Sequence, residues 1–246
     1  MSAPPLPLNA WLRWDVIQRE LHGPRRSVLE LGAGQGAVAA RLAASHDYVG
    51  VEPDPTSRAT AAARLEGRGR LLADVTELPS DEQFDVVCAF EVIEHLEDHV
   101  QLVTQWCRHL APGGRLLLSV PAHQHRFAAY DTVAGHLRRY SRAELAAVAE
   151  AAGLTVERID AVGFPLGFPL EWARNLIGRR RLRRGAADRA VADRTASSGR
   201  TLQPPAWSGR LTQLATAPFR WVQRWFRGSE LATGWVLVAR RPASSG

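Results

Sequence analysis

Short apolar runs that stop at glycine, proline or acidic residues recur along the chain, separated by stretches whose apolar positions fall three and four apart. Residues 27–31 (SVLEL), 48–51, 70–73, 84–90 (FDVVCAF) and 115–120 (RLLLSV) read as buried strands, and 155–161 and 234–240 (GWVLVAR) add two more. Helices are predicted over 12–21, with Leu12, Val16, Ile17 and Leu21 on one side, and over 35–44, 56–65, 100–110 and 142–152. Pro112-Gly113-Gly114 supplies a stop for the fourth helix and Gly153 for the fifth. Ser141 with Glu144 has the spacing of a capping box at the start of that fifth helix. Strands that alternate with helices predict an α/β fold, a mostly parallel sheet with helices on both faces. Residues 178–210 are rich in Arg, Ala, Ser and Pro with little periodicity, and read as a mobile insertion between the last two strands.

The first strand runs into Glu30-Leu31-Gly32-Ala33-Gly34-Gln35-Gly36 where a helix is expected to begin. Glycines there let the backbone turn tightly and approach a ligand with no Cβ in the way, and the following helix N-terminus offers N–H groups to an anion. Gly32, Gly34 and Ala37 also satisfy the G-x-G-x-x-A form of the dinucleotide fingerprint, so a nicotinamide enzyme competes. Glu52 closes the second strand about 20 residues on, and a carboxylate there fits the ribose hydroxyls of either ligand. Asp74 follows the third strand, where it can accept a hydrogen bond from an adenine amino group. After the fourth strand, Phe90-Glu91-Val92-Ile93-Glu94-His95-Leu96 sets paired acids beside a histidine, which a dinucleotide enzyme does not need.

Length changes little: 246 residues suit one α/β domain, or one domain with an insertion. The composition, 46% hydrophobic and 23% charged, is that of a globular chain. No apolar run approaches the roughly 20 residues of a membrane span, and the N-terminal segment lacks the pattern of a secretory signal. Cys88 and Cys107 form no disulfide framework and read as reduced thiols of a cytoplasmic protein. Charge does alter the picture. Residues 1–150 hold 15 arginines against 19 carboxylates, whereas 151–246 hold 16 against 6, so the two parts are expected to do different jobs.

The segments SVLELGAGQG, VGVEPD, LLADV, FDVVCAFEVIEHL and LAPGGRLLLSVP occur in the order and spacing of class I S-adenosylmethionine-dependent methyltransferases, which this chain resembles over roughly residues 10–160. The resemblance is to the ubiquinone-biosynthesis type and related small-molecule enzymes. It implies a Rossmann-like, doubly wound, seven-stranded sheet with an antiparallel last strand. It also implies S-adenosyl-L-methionine as cofactor, across the carboxyl ends of the central strands. Gly32, Ala33, Gly34 and Gly36 would pass the methionine portion of the cofactor, with Glu30 holding its amino group. Glu52 and Pro53 would border the ribose, and Asp74 and Val75 the adenine. Phe90 and Glu91 would flank the methionine end, and Trp14 would cover the site. The chain would divide into a cofactor-binding core (1–163), a basic, aromatic insertion or lid (164–231) and a closing strand with its tail (232–246).

Methyl transfer is an in-line displacement that needs a base only when the acceptor must lose a proton. His95, His123, His136 and Tyr140 stand in the loops after the fourth and fifth strands and are the candidate catalytic groups, with His125, Tyr130, Asp131 and Arg139 near them. Arg138 and Arg139 could face an anionic substrate. Glu91-x-x-Glu94-His95, joined by His123 or His125, has the residue types to hold a divalent ion, but nothing else in the sequence requires a metal and none is assigned. The expected acceptor is a small, hydrophobic metabolite methylated on oxygen. The Arg- and Trp-bearing stretch 164–227 allows peripheral membrane contact, hence a lipid-linked acceptor. Its arginines alone also allow RNA, though no nucleic-acid module accompanies them. A cofactor-binding cyclase or scaffold is the remaining alternative. Oligomeric state is not legible.

Overall fold

The computed structural model describes residues 4–183 and 209–243. Strands β1 (Ser27–Leu31), β2 (Asp47–Val51), β3 (Arg70–Leu72), β4 (Phe84–Phe90), β5 (Leu110–Pro121), β6 (Thr155–Val162) and β7 (Gly234–Arg240) form one sheet in the order β3-β2-β1-β4-β5-β7-β6. Pairing is parallel from β3 to β5, and β7 lies antiparallel between β5 and β6. This is the Rossmann-like arrangement expected from the sequence. The order reverses between β1 and β4, the place where open α/β sheets leave a crevice beyond the strand ends.

Side chains of successive strand residues point to opposite faces, and both faces are covered. Val28, Val86 and Cys88 pack with Leu12, Val16 and Ile17 of α1 (Leu8–Glu20) and Leu42 of α2 (Ala39–Leu42). Leu65 of α3 (Pro55–Leu65) joins that layer. On the other face Leu29, Leu31, Val87 and Ala89 pack with Val103 and Trp106 of α4 (His99–Trp106) and Leu145 and Val148 of α6 (Arg142–Ala151). Burial on both sides explains why the strands read as continuous apolar runs rather than as alternating ones.

Two helices were not read from the sequence, α5 (Ala129–Ala134) and α7 (Gly167–Arg183), whereas α8 (Gly209–Gln223) falls on the partly helical spacing of residues 211–226. Residues 178–183 and 209–210, expected in an irregular insertion, are helical, and the rest of that stretch lies outside the described residues. The helix expected from Gln35 starts only at Ala39. Gly32, Gly34 and Gly36 have φ of 76°, 54° and 79°, left-handed values that hold the preceding residues in turns. The fourth helix ends at Trp106, and β5 begins at Leu110, ahead of Pro112-Gly113-Gly114. α7 packs on α5 so closely that a Cβ at Gly178 would lie 2.7 Å from the Tyr130 nitrogen. α8 packs on α1, where the Trp11 indole donates to the Thr212 hydroxyl (3.1 Å) and the Gln223 amide to the Leu12 carbonyl (2.9 Å).

Candidate functional site

A cavity of about 1140 Å³ opens at the carboxyl ends of β1 and β4, walled by α1, the loops after those strands, α5 and α7. Its floor is the glycine loop. The Gly32 and Ala33 N–H groups donate to the Val51 carbonyl (2.9 and 3.0 Å) and so tie the loop to the end of β2. At Gly32 a Cβ would stand 2.5 Å from Val92, so glycine lets the two loops close together. At Gly34 a Cβ would meet nothing within 4 Å, and the backbone there faces open space. Glu52 fixes this geometry: one carboxylate oxygen accepts from Gly34 N (2.6 Å) and the other from Asp54 N (3.0 Å). Burial raises its pKa above the usual carboxylate value, against those two hydrogen bonds. A loop with open backbone beside a carboxylate that keeps lone pairs toward the cavity is suited to a nucleoside ligand such as S-adenosylmethionine.

The opposite wall is charged. Glu91 has a left-handed backbone (φ 58°) and pairs with Arg13 on α1 at 2.8 Å. Burial acts to raise its carboxyl, but the charges of Arg13, His136 and Arg174 outweigh it and hold it below the usual range. Behind it, Glu94 is fully buried with no hydrogen-bond partner on either carboxylate oxygen among the described residues, and burial followed by the Glu91 charge pushes its pKa well up. His95 Nδ1–H donates to the Gly135 carbonyl (3.1 Å), and burial, then the His136 charge, lowers its pKa to about 4. Glu94, His95 and His136 offer ligand atoms within 4.8 Å of one another, a donor set that could hold a divalent cation.

His136 lines the cavity, and its Nδ1 bonds the Asp131 carboxylate at 2.8 Å. Asp131 is buried on α5 and also accepts two hydrogen bonds from Arg139 (2.9 and 2.7 Å). Burial presses its carboxyl toward protonation, yet the bonds from His136 and Arg139 prevail and set its pKa at about 2. Arg139 reaches on to Glu171 of α7 (2.5 Å), which also binds Arg126. One buried network therefore orients His136 and fastens the α7 wall.

Of the residues singled out in the sequence, Gly32, Gly34, Ala37, Glu52, Pro53, Phe90, Glu91, His95, Tyr130, Asp131, His136 and Arg139 line this cavity. The others are placed elsewhere. Trp14 packs with the α1 layer of the core instead of covering the site. Glu30 points into that same layer and accepts from the Tyr48 hydroxyl (2.6 Å), since its strand position shares a face with Val28. Ala33 is buried, and Gly36 serves α3, where a Cβ would approach the Ala61 Cα to 2.8 Å. Asp74 caps the turn Val75–Glu77 through the Thr76 N–H (2.8 Å) and hydroxyl, and Val75 packs on the core. His123 donates through Nε2 to the Glu230 carbonyl (2.9 Å) and meets the Trp235 ring edge to face at 5.1 Å. Tyr140 is a core residue whose hydroxyl donates to the Ile93 carbonyl (3.2 Å). Sequence reasoning missed Arg13, Glu171 and Arg174. The signal for Glu171 was there, as a lone acid in the apolar run FPLGFPLEWA.

The comparisons with known proteins agree with this geometry. A family model described as "Methyltransferase domain" matches residues 11–159. A probable S-adenosylmethionine-dependent methyltransferase of Mycolicibacterium smegmatis is 36% identical over 162 residues, 63% of this chain and 62% of the relative. One from Mycobacterium tuberculosis is 35% identical over 46% of this chain and 43% of its own length, so the chain spans less than two thirds of these relatives. A ubiquinone biosynthesis O-methyltransferase of Methylobacterium nodulans is 33% identical over 64% of this chain and 74% of the relative. Among solved structures, an S-adenosylmethionine-dependent methyltransferase from Mesorhizobium loti superposes with a TM-score of 0.60 at 14% identity, covering 95% of this chain and all of the other. A [4+2]-cyclase gives 0.58 at 19% identity over 94% of this chain and 82% of its own, a likeness of fold alone. With the glycine loop, the β2 carboxylate and the strand order all in place, the chain belongs to the class I S-adenosylmethionine-dependent methyltransferases, whose cofactor is S-adenosylmethionine.

Proposed function

We propose that this protein transfers a methyl group from S-adenosylmethionine to the hydroxyl oxygen of a small, largely apolar acceptor, with His136 as the general base. The observation that carries the reading is His136 on the cavity wall with Nδ1 held by the buried Asp131 carboxylate. That bond fixes the ring and leaves Nε2 as the nitrogen that takes a proton. A hydroxyl acceptor must lose its proton as the new O–C bond forms, and an oriented histidine meets that need. The cavity exceeds the roughly 300–1,000 Å³ typical of a site for one small ligand, so cofactor and acceptor fit together. Leu12, Phe90, Leu96, Leu170 and Ile177 give it apolar walls that suit a hydrophobic acceptor and exclude water. In this reading Gly32 and Gly34 pass the methionine end of the cofactor and Glu52 takes the ribose hydroxyls.

The test is transfer of labelled methyl from S-adenosylmethionine to a panel of phenols, alcohols, amines and carboxylates. Label is expected on hydroxyl oxygen, and His136→Ala should lower kcat by about 10²–10⁴-fold while S-adenosylhomocysteine binding persists. Transfer to nitrogen or carbon alone, or full activity of His136→Ala, would overturn the reading. The unpartnered Glu94 carboxylate favours one alternative, in which Glu94, His95 and His136 hold a divalent cation at the acceptor oxygen. Such a cation, when bound, would acidify that hydroxyl. Activity lost on chelation and restored by Mg²⁺ or Zn²⁺ supports the alternative; activity unchanged by chelation supports the base.

A further inference from the structure

α8 and the 3₁₀ turn Arg224–Phe226 that continues it present two unlike faces. Thr216 and Gln223 are buried toward α1. On the opposite side Leu211, Leu214, Trp221 and Trp225 are 58%, 69%, 59% and 75% exposed. With Pro218, also exposed, they recur at i, i+3, i+7, i+10 and i+14, one continuous stripe about 20 Å long at 1.5 Å per residue. The Trp221 and Trp225 rings lie edge to face at 5.9 Å, adjacent on the surface. A single exposed leucine would be unremarkable, but an ordered row of five apolar positions on one helix face marks a contact surface.

We propose that this stripe is an interfacial docking surface for an anionic lipid bilayer. Indole rings favour the headgroup level, where an apolar body and an N–H are both accommodated. Arg210 and Arg224 adjoin the stripe in sequence on α8 and its following turn, and are of the matching sign; elsewhere in the same half of the chain α7 ends in Arg179, Arg180, Arg181 and Arg183. Residues 151–246 as a whole carry 16 arginines against 6 carboxylates, an excess that attracts anionic headgroups. The same excess opposes packing of the stripe against a second copy of this basic chain. The intervening residues 184–208 offer only Val191, Leu202 and Trp207 as large apolar side chains, a poor cover for five apolar positions. No helix among the described residues is long and apolar enough to cross a membrane, so contact would be parallel to the surface. Docking would place α1, whose Leu8, Leu12 and Arg13 line the cavity, directly behind the attached helix. The surface stands whichever acceptor atom is methylated.

The test uses the full chain with two kinds of vesicle, phosphatidylcholine alone and phosphatidylcholine with phosphatidylglycerol, read by co-sedimentation and by tryptophan emission. The protein is expected to sediment with the anionic vesicles, with blue-shifted emission, and to be released by high salt. The triple variant Leu214→Ser, Trp221→Ser, Trp225→Ser should lower partitioning by about tenfold or more, with S-adenosylhomocysteine affinity unchanged as the check on folding. Absence of sedimentation at low salt, or sedimentation of the variant equal to wild type, overturns the proposal. So does a dimer in solution that the variant abolishes, which would assign the stripe to a second copy. Exposure of the stripe to soluble quenchers only after removal of residues 184–208 would assign it to that segment and equally overturn it.

Discussion

Glu30 shows how a residue can occupy a familiar motif position and yet do structural work in this chain. Its carboxyl lies in the α1 layer against Tyr48, and burial raises its pKa from 4.5 to about 7 despite the Tyr48 hydrogen bond. The folded protein thus binds this proton more tightly than the unfolded chain does. The resulting stability is fully present below pH about 4.5 and is lost as pH rises through about 7. Glu30→Gln keeps an acceptor for the Tyr48 hydroxyl and removes the titration. Between about pH 5 and pH 8 the wild type should therefore lose on the order of 1–3 kcal/mol relative to Glu30→Gln in urea unfolding. Parallel curves for the two proteins would show that Glu30 is not the titrating group. The comparison also separates Glu30 from Glu94, which is raised in both proteins. Tyr140 illustrates the same limit on residue-by-residue reading. It stands in a loop at the carboxyl edge of the sheet, where a base is expected, but its ring fills the core beside Ile93.

At the scale of elements, the strands were legible because each is a short apolar run ended by glycine, proline or an acid. The observed limits of β1, β4 and β7 coincide with those read from the sequence. Helices that cover the sheet were legible for the same reason, having one apolar face to bury. α7 was not, because its apolar residues look two ways: Leu170 and Ile177 toward the cavity, Trp172 and Leu176 toward the outside. No single 3.6-residue stripe results, and Pro169 and Gly178 interrupt what pattern there is. Gly178 in particular would count against a helix on propensity, by about 1 kcal/mol relative to alanine. Its reason is the approach to α5, where backbone atoms of Ala129 and Tyr130 come within 3 Å of any added Cβ. Backbone cannot swing aside as a side chain can, so the clash outweighs the propensity gain. Gly178→Ala should destabilise the protein by about 1–3 kcal/mol and, by lifting α7, weaken the wall that holds Glu171 against Arg139. Equal or higher thermal stability of the variant would show that α7 is free to yield there. The lining of the candidate cavity was legible where local motifs carry it (Gly32, Gly34, Glu52, Glu91, His136). It was not where distant elements meet, as at Arg13–Glu91 or Arg139–Glu171, since no spacing in one segment specifies those pairs.

On the scale of the whole molecule, the cavity is a joint between parts that are far apart in sequence. α1, the loops after β1 and β4, α5 and α7 each contribute one wall, and few covalent neighbours link them. A ligand that touches several of these walls binds only the folded arrangement, so its binding free energy adds to stability. At a concentration of 100 Kd, S-adenosylhomocysteine should stabilise the protein by about 2.7 kcal/mol. For a chain of this size that is a rise in Tm of about 5–10 °C, at roughly 2–4 °C per kcal/mol. NAD, whose fingerprint the glycine loop also satisfies, separates the two cofactors: the chain belongs to the methyltransferase family, so NAD should leave Tm unchanged. Glu52→Ala tests the ribose contact in the same assay. The variant loses the bonds to Gly34 and Asp54 and will have its own lower Tm, so the quantity to compare is the ligand-induced shift. Loss of most of that shift places Glu52 in the cofactor site. A full shift would confine Glu52 to bracing the loop, and a rise with NAD equal to that with S-adenosylhomocysteine would show that the pocket does not discriminate between the two nucleoside cofactors.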